Sequence, residues 1–564
     1  MGEYLPWPIT AIFAVITGSS LLIAELSTWN PSGNGQQVLT TLASIQAAVF
    51  AIVFSVIILG IQLSTSRYST RLADLFRTDI VYKKTVGVFA TSLAVDVAVL
   101  TAFNHLTPYL LRFSLSYAIG LATASFFLLY FFVDRTLEQT TPEGIIKRVK
   151  QELTPSQIIS DAESADNDSS ETDPFLVPVS IIRSAINDRD VPAATQGLNV
   201  IDEQVGRLLK HVSTDQLRED KSVGDSVEEL CKNRLHNAGE KAVEEDLDEV
   251  GTETVSTISS IGCNAVDQQH EPVAVHSSQG LSKLVGTVGF DTVSEKTRQK
   301  AVDDAGEMLK EAADAQLWDT AGTGIRLLGW RAAQSVIRRD PTAIHKLPYG
   351  SLSMNYIPDV FEQVVEAGSD NVDEDNLFNT VRRDGDNTSA VEWALWSCYA
   401  SLTEVTSAFI RFEIEHGEEI VDWTFVGAGW RDCLSALTES SFNLILQQWL
   451  ATLLYLEYIE FEVESGMMSG FRSVAQYDVS RELMKDTIDK ILDGDLKPQN
   501  HVDRLPGRGN PVERPRSGVS VAPVSDPGYE FNDWLRQVRG RYLDITEGEG
   551  KFAQVSVESE GSDS

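Results

Sequence analysis

The first 135 residues contain four long apolar stretches, each long enough to form a membrane-spanning helix. The stretches run from about Ile9 to Leu26, Ala43 to Leu63, Val86 to Phe103 and Phe113 to Val133. At a rise of about 1.5 Å per residue, a helix of about 20 residues covers about 30 Å, the thickness of a bilayer's hydrocarbon core. The pattern therefore predicts a four-span transmembrane domain over residues 1–135.

The apolar and polar positions after this domain follow helical spacing. Residues 136–174 form a juxtamembrane segment and an acidic linker, whose part from 161 to 174 has no apolar period. Residues 175–496 are predicted to form a helical cytoplasmic domain. In the helix that starts near Val191, for example, Asp190 is the predicted N-cap, and apolar residues follow at steps of three and four: Ala194, Leu198, Ile201, Val205 and Leu208.

Successive helical patterns with few strand signals predict an all-α fold, a four-helix transmembrane domain followed by a mostly helical, acidic domain. A HEAT-like α-solenoid is the candidate architecture of that domain, although no fixed repeat period is present. The apolar segment from Asn443 to Ile459 contains Gln447, Gln448 and Glu457, which favour a buried core helix over a fifth span.

The segment from 497 to 564 is predicted to be a flexible tail rich in Pro and Gly, with a short amphipathic helix over residues 529–543. The apolar face of that helix would pack either on the inner leaflet of the membrane or on the helical domain. The pattern does not choose between these two positions.

Basic residues set the predicted orientation. None lies between the first and second spans, whereas five lie between the second and third: Arg67, Arg71, Arg77, Lys83 and Lys84. The positive-inside rule then places both termini in the cytoplasm of a multi-pass cell-membrane protein. These five residues are candidates for binding lipid phosphate at the inner surface. The alternative is that Arg67 and Arg71, one helix turn apart, line the inner mouth of a pore.

Asp96 lies near the middle of the third span. A charged side chain there costs about 2.5–3.5 kcal/mol, and such residues often mark an ion or proton path. Asp96 is therefore an ion path candidate. The alternative is a protonated Asp96 hydrogen-bonded to a Ser or Thr of a neighbouring span. Gln46 and Gln62, near the two ends of the second span, are further candidate partners.

The segment VFSVIILGIQLSTSRYSTRLADLFRTD, residues 53–79, resembles the signature of a bacterial and archaeal family of predicted membrane proteins, domain of unknown function 2254. The resemblance extends over about residues 38–150, with a weaker echo at 185–193, and Thr70 stands where the family usually has proline. It implies a four-span topology and supplies no activity. The matching positions are Phe54, Ser55, Gln62, Ser64, Ser66, Tyr68, Ser69, Arg71, Leu72, Phe76 and Asp79.

Charge is distributed unevenly along the chain. The net charge is -36, yet residues 1–150 carry ten basic and eight acidic side chains, so the remainder carries -38. Such a surface would repel nucleic acid, whose binding depends on Lys and Arg. It indicates a halophilic protein of a salt-rich cytoplasm, with an ordinary acidic protein as the alternative.

The sequence lacks the common catalytic motifs. It contains no phosphate-binding GxxxxGK[ST] loop, no HExxH and no GxSxG, and its four cysteines form no CxxC pair. We therefore expect no enzyme activity, no metal and no cofactor. We expect a membrane-anchored interaction or regulatory protein, with the lipid bilayer, a protein partner and further copies of the chain as partners. The alternative is an oligomeric ion channel or transporter that uses Asp96.

Overall fold

The computed structural model describes residues 16–21, 34–67, 80–140, 142–165, 173–213, 221–285, 295–337, 352–368, 372, 389–416, 423–440, 442–463, 479–498 and 528–545. Every regular element in these ranges is a helix, which confirms the predicted all-α class. The described residues form two compact units. One lies within Met1–Thr154 and Pro174–Val200, and the other within Pro155–Asp173 and Ile201–Ser564.

Three long apolar helices dominate the first unit: α1 (Gly35–Arg67), α2 (Ile80–Ala102) and α3 (Pro108–Thr140). Each contains a stretch long and apolar enough to cross a membrane, namely Gly35–Ile52, Thr85–His105 and Pro108–Val133. The described ranges thus contain three candidate spans, not the four predicted. Of the predicted first span only residues 16–21 are described, and these are helical.

The three helices pack through faces on which buried residues recur at steps of three and four. On α2 these residues include Phe89, Ser92, Asp96 and Val99. On α3 they include Leu111, Leu115, Ala118, Ala122, Ser125, Leu129 and Phe132. Each of the three helices contacts the other two. This spacing is typical of helices that pack in a bundle with crossing angles of about 20°.

The outward surface of these helices is apolar. Of the thirteen exposed large hydrophobic side chains in the described residues, all except Leu444 lie between Leu21 and Phe131. Exposed hydroxyls on the same helices donate to carbonyls of their own helix, as Thr91 does to Gly87 at 2.8 Å and Thr123 to Ile119 at 2.9 Å. A hydrocarbon environment offers no water, so polar groups exposed to it must form their hydrogen bonds within the protein, as these hydroxyls do within their own helix.

Shorter helices follow: α4 (Pro142–Glu152), α5 (Pro155–Ala165) and α6 (Leu176–Asn187). α4 packs against α6 in the first unit, and α5 belongs to the second. Because α5 extends to Ala165, the first residues of the predicted acidic linker are helical. Packing explains this, since Ile158 and Ala162 are fully buried.

The next helix, α7 (Val191–His211), begins where the pattern predicts. The Asp190 carboxylate accepts a hydrogen bond from the backbone N–H of Ala193 at 3.1 Å, which confirms the N-cap. All five residues predicted to lie on its apolar face, from Ala194 to Leu208, are fully buried.

Twelve further helices complete the described part of the chain. They are α8 (Lys221–Glu229), α9 (His236–Glu244), α10 (Asp248–Asp267), α11 (Glu271–Val285), α12 (Glu295–Asp314), α13 (Trp318–Ile337), α14 (Ile357–Gly368), α15 (Ala390–His416), α16 (Trp423–Thr438), α17 (Asn443–Val463), α18 (Arg481–Asp493) and α19 (Gly528–Ile545). Two π-helical turns precede α9 and α14, at Leu230–Leu235 and Leu352–Tyr356.

Four connections between successive helices share one backbone geometry. Each places a single non-glycine residue in the left-handed region, with φ between 57° and 62°: Arg189, Asp246, Gln269 and Gln316. The following backbone N–H then reaches back five residues to a carbonyl, as His270 does to Ala265 at 2.7 Å. This is a Schellman turn, and the next helix starts at once. We call these connections the left-handed junctions.

Small buried residues flank each left-handed junction. An alanine lies four residues before the left-handed position, at Ala185, Ala242, Ala265 and Ala312. An alanine or glycine lies five residues after it, at Ala194, Gly251, Ala274 and Ala321. In the second unit, α10 contacts both α11 and α12, and α11 contacts both α12 and α13. Each helix therefore packs against the next two along the chain.

α13 and α15 form an unusually close pair. A side chain at Gly322 would meet the backbone of Ala394, and one at Gly329 would lie 2.3 Å from Cβ of Ser401. Both contacts advance by seven residues in the same direction, so the two helices run parallel. The hydroxyl of Ser401 donates to the carbonyl of Ile325 at 2.9 Å, which only such proximity allows.

α17 is a buried core helix. Its polar residues have partners outside the helix, since Gln447 donates to Asp486 at 2.6 Å and Gln448 to the carbonyl of Lys497 at 2.8 Å. Such partners explain how these side chains are tolerated inside a core. The hydroxyl of Tyr542, on α19, donates to Glu457.

The amphipathic helix predicted at 529–543 is observed as α19, and it packs on α17 and α18. Phe531 and Trp534 are buried against Tyr455 and Tyr458, with ring centroids 5.2–5.7 Å apart. Of the two positions left open by the sequence, the structure shows the one on the helical domain.

Candidate functional site

Asp96 is completely buried between the apolar helices of the first unit. Within the described part of the chain neither of its carboxyl oxygens has a hydrogen-bond partner. Buried polar atoms are nearly always hydrogen-bonded, so an orphaned carboxyl group at this depth requires a physical explanation.

A buried amide–hydroxyl pair lies one helix turn from Asp96 along α2. Gln46 of α1 and Ser92 of α2 are both fully buried, and Gln46 Nε2 donates to Ser92 Oγ at 3.0 Å. Ser92 precedes Asp96 by four residues, so the two side chains are neighbours on one face of α2. The carbonyl oxygen of Gln46 has no partner among the described residues. Of the two predicted glutamines, Gln46 is placed beside this face and Gln62 is exposed.

Apolar clusters close this polar layer on both sides. On one side Phe89 packs with Leu129 and Phe132, and on the other Val99 and Phe103 pack in a cluster that includes Leu39, Leu111, Leu115 and Ala118. Because Phe89, Ser92, Asp96, Val99 and Phe103 follow one face of the helix, the polar layer lies between two apolar ones. We call Asp96, Ser92 and Gln46 the membrane acid site.

The five predicted lipid-phosphate residues fall where the structure gives no side-chain description. Arg71 and Arg77 lie outside the described residues. Arg67 ends α1, and Lys83 and Lys84 lie in the first turns of α2, so their backbones are helical. Their role stays a prediction.

The sequence pattern did not predict a cluster of basic groups around the π-helical turn at Leu230–Leu235 in the second unit. Lys283 donates to the carbonyl of Lys232 at 2.9 Å and to the side-chain oxygen of Asn233 at 2.7 Å. Gly280 permits this approach, because a Cβ there would lie 2.3 Å from the Cys231 carbonyl oxygen.

His236 follows that turn and is strongly perturbed. Burial, together with the positive charges of Lys283 and Arg331, lowers the pKa of His236 to about 4. A carboxylate oxygen of Glu240 lies 3.8 Å from His236 Nε2 and does not offset this lowering of the pKa. His236 is therefore neutral in the folded protein at ordinary pH.

The cysteines are poor candidates for nucleophilic chemistry. All four are free, and Cys231, Cys398 and Cys433 are fully buried. Burial raises the pKa of the Cys231 thiol and of the Cys263 thiol to about 12. In the described ranges no three His, Cys, Asp or Glu side chains are grouped so that they could hold a metal ion.

The fold and its surface define an all-helical protein with several apolar helices suited to a membrane. Residues 7–219 match the family described as "Predicted membrane protein (DUF2254)". This match supports the resemblance found at residues 38–150 and 185–193 and covers less than half of the chain. No curated protein and no solved structure matches the chain significantly.

Proposed function

We propose that this protein is a membrane-anchored interaction protein in which the second unit binds a protein partner. The observation that carries the proposal is the left-handed junction, which occurs in the second unit at Asp246, Gln269 and Gln316. It joins helices without a loop, and α10 to α13 each pack against their nearest neighbours in sequence. Stacks in which each element contacts only its neighbours are typical of α-solenoids, which expose long binding surfaces.

A HEAT-like solenoid therefore remains the proposed architecture of α9 to α15. The parallel pair of α13 and α15 continues the next-but-one packing of α10 with α12 and of α11 with α13, with a closer approach at Gly322 and Gly329. The role proposed for this surface is recognition rather than catalysis.

The orientation is also proposed. Positive charge after the second and fourth apolar stretches supports a cytoplasmic second unit in a multi-pass cell-membrane protein. Arg67, Arg71, Arg77, Lys83 and Lys84 would then bind lipid phosphate at the inner surface. The acidic remainder of the chain supports a halophilic cytoplasm and opposes nucleic-acid partners.

Site-specific photo-crosslinking in the host membrane tests the interaction role. A photoreactive amino acid is placed at Glu307 or Glu311, which are exposed one turn apart on α12. Matched controls carry it at Asp432, exposed on α16, or at Ile119, exposed on α3. We expect one protein adduct of the same mass from both α12 positions and none from the controls. No adduct, or the same adduct at every position, would contradict the proposal.

A second candidate function is supported by the orphaned carboxyl group of Asp96. In that case the protein is an oligomeric channel or transporter, because a few spans from one chain do not enclose a pore. Planar-bilayer recordings of wild type and Asp96→Asn in molar KCl test it. Discrete openings whose conductance or selectivity changes in Asp96→Asn support the channel, and a silent bilayer containing folded, inserted protein contradicts the channel and leaves non-conducting transport open.

A further inference from the structure

Three oxygen atoms of the membrane acid site need a positively charged or hydrogen-donating partner. They are Oδ1 and Oδ2 of Asp96 and Oε1 of Gln46, and none has a partner within the described residues. All three belong to side chains with no exposed surface. In a bilayer, bulk water does not reach such atoms, so the missing partner must be held at the site itself.

A single proton leaves this site incompletely satisfied. A protonated Asp96 gains one donor, which can bond one acceptor such as Gln46 Oε1. The other carboxyl oxygen then still lacks a partner. Gln46 Nε2 donates one hydrogen to Ser92 Oγ at 3.0 Å, and in the observed geometry neither its second hydrogen nor the Ser92 hydroxyl is bonded to Asp96. A cation placed among the oxygens would satisfy several of them at once.

We propose that Asp96, Gln46 and Ser92 bind one dehydrated monovalent cation, Na⁺ or K⁺. The ligands would be the two Asp96 oxygens, Gln46 Oε1 and Ser92 Oγ, all hard oxygen donors of the kind that alkali cations prefer. The charge balances, because one carboxylate neutralises one monovalent ion and a divalent ion would leave an uncompensated charge in the membrane.

The apolar residues around the membrane acid site favour an ion that stays bound over one that exchanges rapidly. The clusters around Phe89 and around Val99 and Phe103 cover the layer above and below. On the buried face of α3, Ala122 lies one turn beyond Ala118 of the Val99 cluster and adds no competing polar group. The ion would therefore exchange slowly. This proposal names the ion for the second candidate function. Transport of the ion rests on that candidate function, whereas binding does not, because binding can be measured in a protein that does not conduct.

Binding of radioactive ²²Na⁺ and ⁸⁶Rb⁺ to the full chain in nanodiscs tests the proposal, with excess choline chloride to hold ionic strength and suppress weak surface binding. The control variant is Ser125→Ala. Ser125 is equally buried, but its hydroxyl donates to its own helix, at Ala122 O, 2.8 Å away. Wild type and Ser125→Ala should each bind one ion per chain, whereas Asp96→Asn should bind none.

Gln46→Leu removes one ligand and should weaken binding about tenfold, equivalent to about 1.4 kcal/mol. Circular dichroism in choline chloride verifies that each variant is folded. The infrared spectrum of wild type minus Asp96→Asn should show the bands of a carboxylate. Equal ion binding by wild type and Asp96→Asn, or the carbonyl band of a protonated carboxylic acid, would overturn the proposal. A silent planar bilayer combined with Asp96-dependent binding would reject conduction alone.

Discussion

Arg326 on α13 donates from both terminal nitrogens to the two carboxylate oxygens of Glu404 on α15, each at 2.7 Å. The side chains are only 18% and 10% exposed, so the pair is largely removed from water. The Arg326 guanidinium also lies 5.5 Å from the ring centre of Trp396. This bidentate pair fixes the register of the two parallel helices.

Glu404→Gln should destabilise the second unit, because it leaves the Arg326 charge buried without its partner. Breaking a buried pair in this way costs about 3 kcal/mol. Thermal unfolding in detergent, followed by circular dichroism, measures the change. Asp432→Asn is the control, since Arg431 and Asp432 form a pair that is 60% and 47% exposed and should contribute less than about 0.5 kcal/mol. Equal shifts of the unfolding temperature in the two variants would show that the Arg326–Glu404 pair contributes no more stability than an exposed pair.

The close approach of α13 to α15 predicts a strong penalty for a methyl group. Gly329→Ala would place its Cβ 2.3 Å from Cβ of Ser401, so the helices must separate at a cost of about 1–3 kcal/mol. Gly540→Ala on α19 should instead stabilise by about 0.5–1 kcal/mol, because its Cβ meets nothing within 4 Å. The same unfolding measurement compares them, and stabilisation by Gly329→Ala would contradict the parallel packing.

Docking of α19 should depend on its aromatic residues. Phe531→Ala with Trp534→Ala removes the rings that pack on Tyr455 and Tyr458, so α19 should be released. Trypsin should then cleave rapidly after Arg536 or Arg539, sites protected in the docked helix. Gln537→Ala, at an exposed position of α19, is the control and should be cleaved at the wild-type rate. Cleavage at the same rate in the double variant would mean that α19 is not held by these contacts.

His236 should make the second unit sensitive to acid. Its pKa is about 4 in the folded protein and about 6.5 in an unfolded chain, so the unfolded chain binds more protons between those values. Stability should therefore fall as pH drops from about 6.5 to 4 and should not change through this group above about pH 7. The loss in wild type should exceed that in His236→Gln by up to about 3 kcal/mol, since one pKa unit corresponds to about 1.4 kcal/mol. Parallel pH profiles for the two proteins would exclude His236 as the cause.

Local pattern was sufficient to predict most of the helices. The N-cap at Asp190 and the apolar face of α7 follow from short-range spacing, and the polar residues of α17 correctly separated a core helix from a span. The position of α19 did not follow from sequence, because an amphipathic face fits a membrane or a protein equally well. Only tertiary contacts with Tyr455 and Tyr458 decide between them.

The sequence did not predict the left-handed junctions, and the reason is physical. Glycine is the usual signal for a left-handed residue, yet the four positions are Arg189, Asp246, Gln269 and Gln316, and their intervals differ. The constant feature is instead a pair of small buried residues on either side. Only part of the membrane acid site could be predicted from the sequence. Asp96 is a charged residue in an apolar helix and is therefore easily recognised, whereas the hydrogen bond between Gln46 and Ser92 depends on how two helices pack.

The distance along the chain between α17 and α19 affects how the protein is made. Tyr542 and its partner Glu457 are 85 residues apart, so a ribosome delivers α17 long before the helix that covers it. Until translation passes residue 545, Tyr455 and Tyr458 lack the aromatic rings of α19 that pack against them in the folded protein. Nascent chains that expose such surfaces are bound by chaperones. A chain whose translation stops before residue 528 would keep that surface uncovered and be a target for degradation.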